Sequence, residues 1–167
     1  TAAAIAREAG LSVAEKALEL GTIEIRVEMD GVRHRFEHTT FRRDYYPPGG
    51  AHRPYRVEFT GDISEDARRR DFTAGALYLN LTTRELLDPT GYGLDDVRAR
   101  VLRAAAEDPD VTIRDDGLRI MRMARFAAEL GFDVAPDLLE CAARRAALLE
   151  DISPERKRDE LMKILMA

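Results

Sequence analysis

Three stretches of this 167-residue sequence gather side chains that could act on a charged ligand. Around the dipeptide Asp30-Gly31 the residues alternate strictly, and a two-residue hairpin turn there places Glu24 directly opposite Glu37 on the polar face. Facing carboxylates repel, so either a divalent metal or other cation sits nearby or Arg26, Arg33 and Arg35 neutralise the pair diagonally. The second stretch, Arg68-Arg69-Arg70-Asp71, runs straight into the apolar residues 72–77. A part-buried guanidinium needs an anion, and an internal aspartate or a nucleotide triphosphate would each serve. In the third, Asp116, Arg119, Arg122 and Arg125 recur every third residue, each turned about 60° from the last on one helix. That stripe is either a basic face with acids at the helix start or a recognition seam. A carboxylate accepts from base amino groups, a guanidinium donates to base carbonyl and ring nitrogens, and together they can read a base edge. The sequence holds no glycine-rich phosphate loop of the Walker or dinucleotide type, which leaves any phosphate to arginines and helix ends.

Two kinds of element must hold these groups in place. Residues 2–9 favour helix, and 22–39 form a hairpin with Ile23, Ile25, Val27, Met29, Val32, His34, Phe36 and His38 on a face expected to be core. Residues 44–55 carry three prolines and two glycines and read as an irregular loop, followed by a short strand over 57–60. Asp62 with Glu65 three positions on resembles a capping box that opens a helix through the arginine run, and 88–91 marks a turn after a strand-like 84–87. From about Arg103 the pattern is helical: 115–130 closing on Gly131 and largely buried apart from its polar stripe, then 136–150, then a third helix opened by Ser153-Pro154. Strands first and helices afterwards imply an α/β unit over 1–103 joined to an all-α unit over 104–167.

Composition narrows the partners. With 45% apolar and 34% charged residues the balance is that of a soluble globular protein. No run approaches the roughly 20 apolar residues of a membrane helix, and a cytoplasmic protein is expected. A lone Cys141 and the scattered His34, His38 and His52 lack the spacing of a zinc site. The net charge of −5 argues against a wholly basic nucleic-acid coat, so any anion site must be local. Only Lys16, Lys157 and Lys163 among the 26 basic residues are lysines, which leaves recognition to the planar fork of arginine. The sequence begins at Thr1 and passes straight into a helical stretch, from which missing upstream residues are expected.

The segments FEHTTFRRD (36–44), SEDARRRDFTAGALY (64–78), LLDPTGYGLDDVRARVLR (86–103), IRDDGLRIMRMARFAAELGF (113–132) and SPERKRDELMKIL (153–165) are similar, in this order, to successive segments of the class II tRNA nucleotidyltransferase and bacterial poly(A) polymerase family. The resemblance implies a partial nucleotidyltransferase palm with a mostly antiparallel or mixed sheet, followed by an all-α neck. It implies Mg²⁺-dependent, two-metal addition of CMP and AMP from CTP and ATP to the 3′ end of tRNA. The residue roles come with it: Asp116 and Arg119 for the base edge, Arg122 and Arg125 for supporting contacts, Arg70 and Asp71 for triphosphate and ribose, and Glu37 as the third palm carboxylate. Arg42-Arg43-Asp44 resembles the start of the flexible loop that CCA-adding members use to switch from C to A. The family's glycine-glycine motif and Asp-x-Asp metal pair would precede the position of Thr1, so this chain by itself is expected to be inactive. Gly75 stands where the family has asparagine, Gly117 where it has proline, and the turn over 88–96 is one residue longer. Poly(A) polymerases and A-only or CC-only adders share these segments, and a nucleotide- or RNA-binding module that has lost its metal site is the non-enzymatic alternative.

Overall fold

The computed structural model describes residues 1–47 and 53–167. Helix α1 (Ala2–Glu8) is capped by Thr1, whose hydroxyl accepts from the Ala4 amide. It leads into a strand that the sequence did not announce, β1 (Ser12–Ala17), which pairs antiparallel with β2 (Thr22–Met29). Residues 12–17 hold a single β-branched residue, Val13, so pairing with β2 makes this strand rather than its own propensity. The hairpin of β2 and β3 (Val32–Thr39) has the expected register, with Glu24 opposite Glu37. Asp30 and Gly31 turn it with φ of 53° and 74°, the left-handed pair that a tight hairpin turn demands.

The assignment of its faces needs correction. Ile23 is buried as expected, but Met29, Val32 and Phe36 are exposed, because the hairpin runs out beyond the elements that cover its base. On the face expected to be solvated, Glu24 is 5% exposed, closed over by Lys16 from β1.

The stretch expected to be an irregular loop is partly strand. β4 (Arg42–Tyr45) pairs antiparallel with β5 (Arg56–Phe59), so Arg42, Arg43 and Asp44 sit on a strand; residues 48–52 of that stretch lie outside the described residues. Asp62 caps α2 (Ile63–Arg68) by accepting from the Ser64 amide, while Glu65 pairs with Arg43 across the chain. A short hairpin, β6 (Tyr78–Leu79) with β7 (Leu86–Leu87), leads to the turn in which Asp88 accepts from the Gly91 and Leu94 amides, and then to α3 (Gly93–Ala99).

The helical part departs from expectation in two places. β8 (Val101–Leu102) pairs in parallel with β9 (Asp133–Val134), so it is not purely helical. The helix expected over 115–130 is two helices, α4 (Pro109–Asp115) and α5 (Arg119–Leu130), with Asp116 in extended backbone between them. The break holds Gly117 close against Leu148, where only glycine fits: a Cβ on it would lie 2.8 Å from Leu148 Cβ and 2.9 Å from the Leu148 carbonyl oxygen. Helices α6 (Pro136–Arg144) and α7 (Pro154–Leu165) complete the fold. Phe72, Leu102, Ile113, Met123 and Leu138 share one buried cluster, so the core spans the junction between the strand-bearing and helical parts.

Candidate functional site

The segment after α2 is stitched to the start of the helical part by backbone. The Thr73 amide donates to the Arg103 carbonyl at 3.0 Å and the Ala105 amide to the Asp71 carbonyl at 3.2 Å, turning Phe72 into the core and leaving the Asp71 carboxylate facing α5. There Asp71 accepts from Arg119 Nε at 2.8 Å through Oδ1 and from Arg122 Nε at 2.5 Å through Oδ2. Arg119 is buried; its Nη1 donates to the Thr112 carbonyl at 3.0 Å and its Nη2 to the Arg69 carbonyl at 2.7 Å. Three of its five N–H donors are thus engaged, two joining the RRD segment to α5 and one joining α4 to it.

One turn before Asp71, the buried Asp66 collects a second set of donors. Its Oδ1 accepts from Arg69 Nε at 2.8 Å, Arg69 Nη2 at 2.6 Å and the Arg42 amide at 3.2 Å; its Oδ2 accepts from the Tyr78 hydroxyl at 2.7 Å, Arg70 Nη2 at 2.9 Å and Arg70 Nε at 3.2 Å. Burial works to raise this carboxyl, but the hydrogen bonds from Tyr78, Arg69 and Arg70 outweigh it and hold Asp66 below the usual aspartate range. On β4, Asp44 accepts from Arg42 Nε at 2.8 Å and Arg69 Nη1 at 3.5 Å.

These groups wall a cleft of about 590 Å³ between β4, the RRD segment and α5. Its polar side carries Arg42, Arg69, Arg70, Arg119 and Arg122 against Asp44 and Asp71, and its floor is apolar, with Phe72, Leu102 and Phe126. Among the described residues, five arginines thus face two aspartates. Such a surplus of guanidinium over carboxylate, above a surface that can pack against a ring, suits an anionic ligand with a planar base. Tyr46 also lines the cleft, and burial pushes its hydroxyl up to about 12, so it stays protonated and able to donate.

The cleft unites Arg42, Asp44, Arg70, Asp71, Arg119 and Arg122 from the residues singled out in the sequence. Arg125 turns away to α7, where its Nε donates to the buried Glu160 at 2.6 Å and its guanidinium lies 4.1 Å from the Phe126 ring centre. Asp116 lies ahead of α5, not on it; its Oδ1 accepts from the Leu118 amide at 3.0 Å and its Oδ2 from Arg156 Nη2 at 2.9 Å. Arg43 pairs with Glu65 and reaches the Tyr45 hydroxyl. The arginine seam of α5 faces inward at Arg119, while Ala124, Ala128 and Glu129 are exposed, so the helix is less buried than its composition suggests. Arg69 belongs to the arginine run singled out in the sequence, and its anion is an internal aspartate, Asp66; Asp66 and Tyr46 were not expected there, Asp66 reading as an ordinary first-turn acid.

Glu37 is exposed on β3. Its cross-strand neighbour Glu24 is engaged by Lys16 at 2.9 Å and Arg26 at 2.6 Å, and hydrogen bonds from these two, Lys16 first, hold its carboxyl at about 2. Among the described residues no group of three His, Cys, Asp or Glu side chains is placed to hold a metal ion. Among them, too, no helix is long and apolar enough to cross a membrane.

Residues 3–103 match the family model described as the poly A polymerase head domain, and residues 131–167 match one described as the probable RNA- and SrmB-binding site of polymerase A. The chain is 38% identical over 156 residues to the CCA-adding enzyme of Limosilactobacillus fermentum, covering 89% of this chain and 35% of that one. It is 40% identical over 112 residues to poly(A) polymerase I of Escherichia coli, covering 67% of this chain and 24% of that one. Among solved structures it is similar to the Bacillus stearothermophilus CCA-adding enzyme in complex with CTP, with a TM-score of 0.78 and 32% identity over 92% of this chain and 35% of that one. It is also similar to a tRNA nucleotidyltransferase complexed with a primer tRNA and an incoming ATP analogue, with a TM-score of 0.73 and 27% identity over 99% of this chain and 46% of that one. The chain spans little more than a third of the curated CCA-adding enzymes it matches. On both sequence and fold, a partial palm followed by a helical neck, the chain belongs to the family of tRNA nucleotidyltransferases and bacterial poly(A) polymerases.

Proposed function

We propose that this chain is the part of a nucleotidyltransferase that binds and selects CTP and ATP for addition of CMP and AMP to the 3′ end of tRNA, with residues 1–103 as its partial head and 104–167 as its neck. The observation that carries the reading is the cleft itself, in which five arginines face two aspartates above an apolar floor. Arg70 and Arg122 both line the cleft and are part-exposed, the Arg70 Nη1 donating to the Gly75 carbonyl at a long 3.5 Å; these two bind phosphate oxygens. Arg119, held on three sides, offers its remaining N–H donors to a base edge, and Asp116 supplies the accepting partner from the break before α5. Arg125 supports this arrangement from the α7 side through Glu160.

The transfer itself, at an RNA 3′-hydroxyl with pyrophosphate leaving, is metal-assisted chemistry, for which Mg²⁺ is the proposed ion. Glu37 is this chain's contribution to it, and the described residues hold no second and third ligand beside it. The chain therefore binds nucleotides without incorporating them. Poly(A) polymerase is the second reading, favoured by the 40% identity to the Escherichia coli enzyme. Titrating the chain with CTP, ATP, UTP and GTP by calorimetry decides the matter: saturable binding of CTP and ATP over the other two supports the first reading, ATP alone supports the second, and no binding to any of them refutes both.

A further inference from the structure

We infer that Asp66, which lines no part of the cleft, is the positioning residue that aims its arginines at a polyphosphate; this rests on the cleft being the nucleotide site. Asp66 is 1% exposed and takes both of its arginine partners by the same edge, Nε and Nη2. A guanidinium gripped along that edge must point its Nη1 the opposite way, and the two Nη1 groups do project from the hub, Arg69 toward Asp44 and Arg70 past the Gly75 carbonyl. One carboxylate thus fixes the orientation of two adjacent guanidinium groups. It also accepts from the Arg42 amide of β4, so the strand that carries Arg42 and Asp44 is registered to the same point. Tyr78 completes the device: its hydroxyl donates to Asp66 Oδ2, and the Arg70 guanidinium lies 5.0 Å from its ring centre. Neither arginine could take up this pose alone, since each is a long side chain whose rotamer freedom the carboxylate removes before any ligand arrives.

The sign of one measurement separates positioning from simple charge. Replacing Asp66 by Asn removes a negative charge from behind a cationic cleft, so a purely Coulombic picture makes the variant bind anions more tightly. Positioning makes it bind more weakly, because the two guanidinium groups lose their common anchor. The test is calorimetric titration of inorganic triphosphate into the wild-type chain, Asp66→Asn, Tyr78→Phe and the control Asp110→Asn. Asp110 is an arginine-paired acid that serves Arg145 and lines no part of the cleft. The expected result is affinity weakened about ten-fold by Asp66→Asn, the worth of one charge-assisted hydrogen bond, with a few-fold loss in Tyr78→Phe and none in the control. Unchanged or tighter binding by a folded Asp66→Asn overturns the inference while leaving the cleft reading intact. If Asp66→Asn does not fold, unchanged affinity in Tyr78→Phe overturns it instead. Absence of triphosphate binding by the wild type removes the cleft reading and the inference together.

Discussion

The β2–β3 hairpin and the cleft both bring carboxylates and cations together, and they do so on opposite terms. On the β2–β3 hairpin each charge is settled by near neighbours: Glu24 is taken up by Arg26 two residues along the same strand and by Lys16 on the adjacent one, while Glu28 and Arg33 pair at the exposed end. In the cleft Asp71 is shared by two arginines of α5 and Asp44 by Arg42 of its own strand and Arg69 after α2, and positive groups outnumber negative ones on the wall. On the hairpin Glu24 is neutralised by its own neighbours, and exposed Glu37 is the carboxylate left open to solvent. What distinguishes a binding site here is an unbalanced, part-buried set of charges held by long-range partners, because only such a set keeps donors both oriented and available.

The sharpest way to break this contrast is to remove Asp71. Arg119 would be left buried beside two carbonyls with no anion, and Asp71→Asn is expected to cost about 3–5 kcal/mol in urea unfolding. A loss below about 1 kcal/mol would mean that the two regions are alike after all. Next comes Gly117→Ala. The added Cβ must push against Leu148, so a loss of about 1–3 kcal/mol is expected, together with weaker CTP affinity as Arg119 shifts with the start of α5. A smaller effect separates neighbours on α5: Arg122→Ala should weaken binding of all four nucleoside triphosphates about ten-fold, whereas Arg125→Ala, directed at Glu160, should lower stability and leave affinity nearly unchanged. Equal loss of affinity in both would place the whole stripe in contact with the ligand.

The hairpin has a signature of its own in acid. Glu24 has a folded pKa of about 2 against an ordinary 4.5, so between these values the unfolded chain binds the extra proton, and stability falls as pH drops through that window. Asp110, held at about 2 chiefly by Arg145, adds to the same fall. Urea midpoints measured from pH about 5 to about 2 should therefore decline less steeply in Glu24→Gln than in the wild type, and parallel profiles would show that Lys16 and Arg26 do not hold this carboxylate. At the bottom of the scale, Glu37→Ala on the exposed face should change the free energy of urea unfolding by no more than about 0.5 kcal/mol, as expected of an exposed side chain that contributes little to folding.

Local rules made part of this molecule legible in its sequence. The Asp30-Gly31 turn dictates the register that sets Glu24 across from Glu37, since two left-handed residues and a period of two admit one pairing. Caps at Asp62 and Ser153 and the left-handed stop at Gly131 mark helix ends through groups within a few residues of one another. The order of the segments over 36–44, 64–78, 86–103, 113–132 and 153–165 carries the family resemblance in the sequence itself. Tertiary structure alone decided the rest, because it depended on partners far away in the chain. The chain leaves the helix at Asp116, which takes Asp116 off the stripe, and packs Gly117 against Leu148, thirty-one residues further on. Which way each arginine of α5 faces was settled by Asp71 and Glu160, on segments that spacing along one helix cannot see. Asp66 became the hub of the cleft only when β4, α2 and Tyr78 closed around it and excluded water, leaving its carboxylate to be satisfied by protein donors alone.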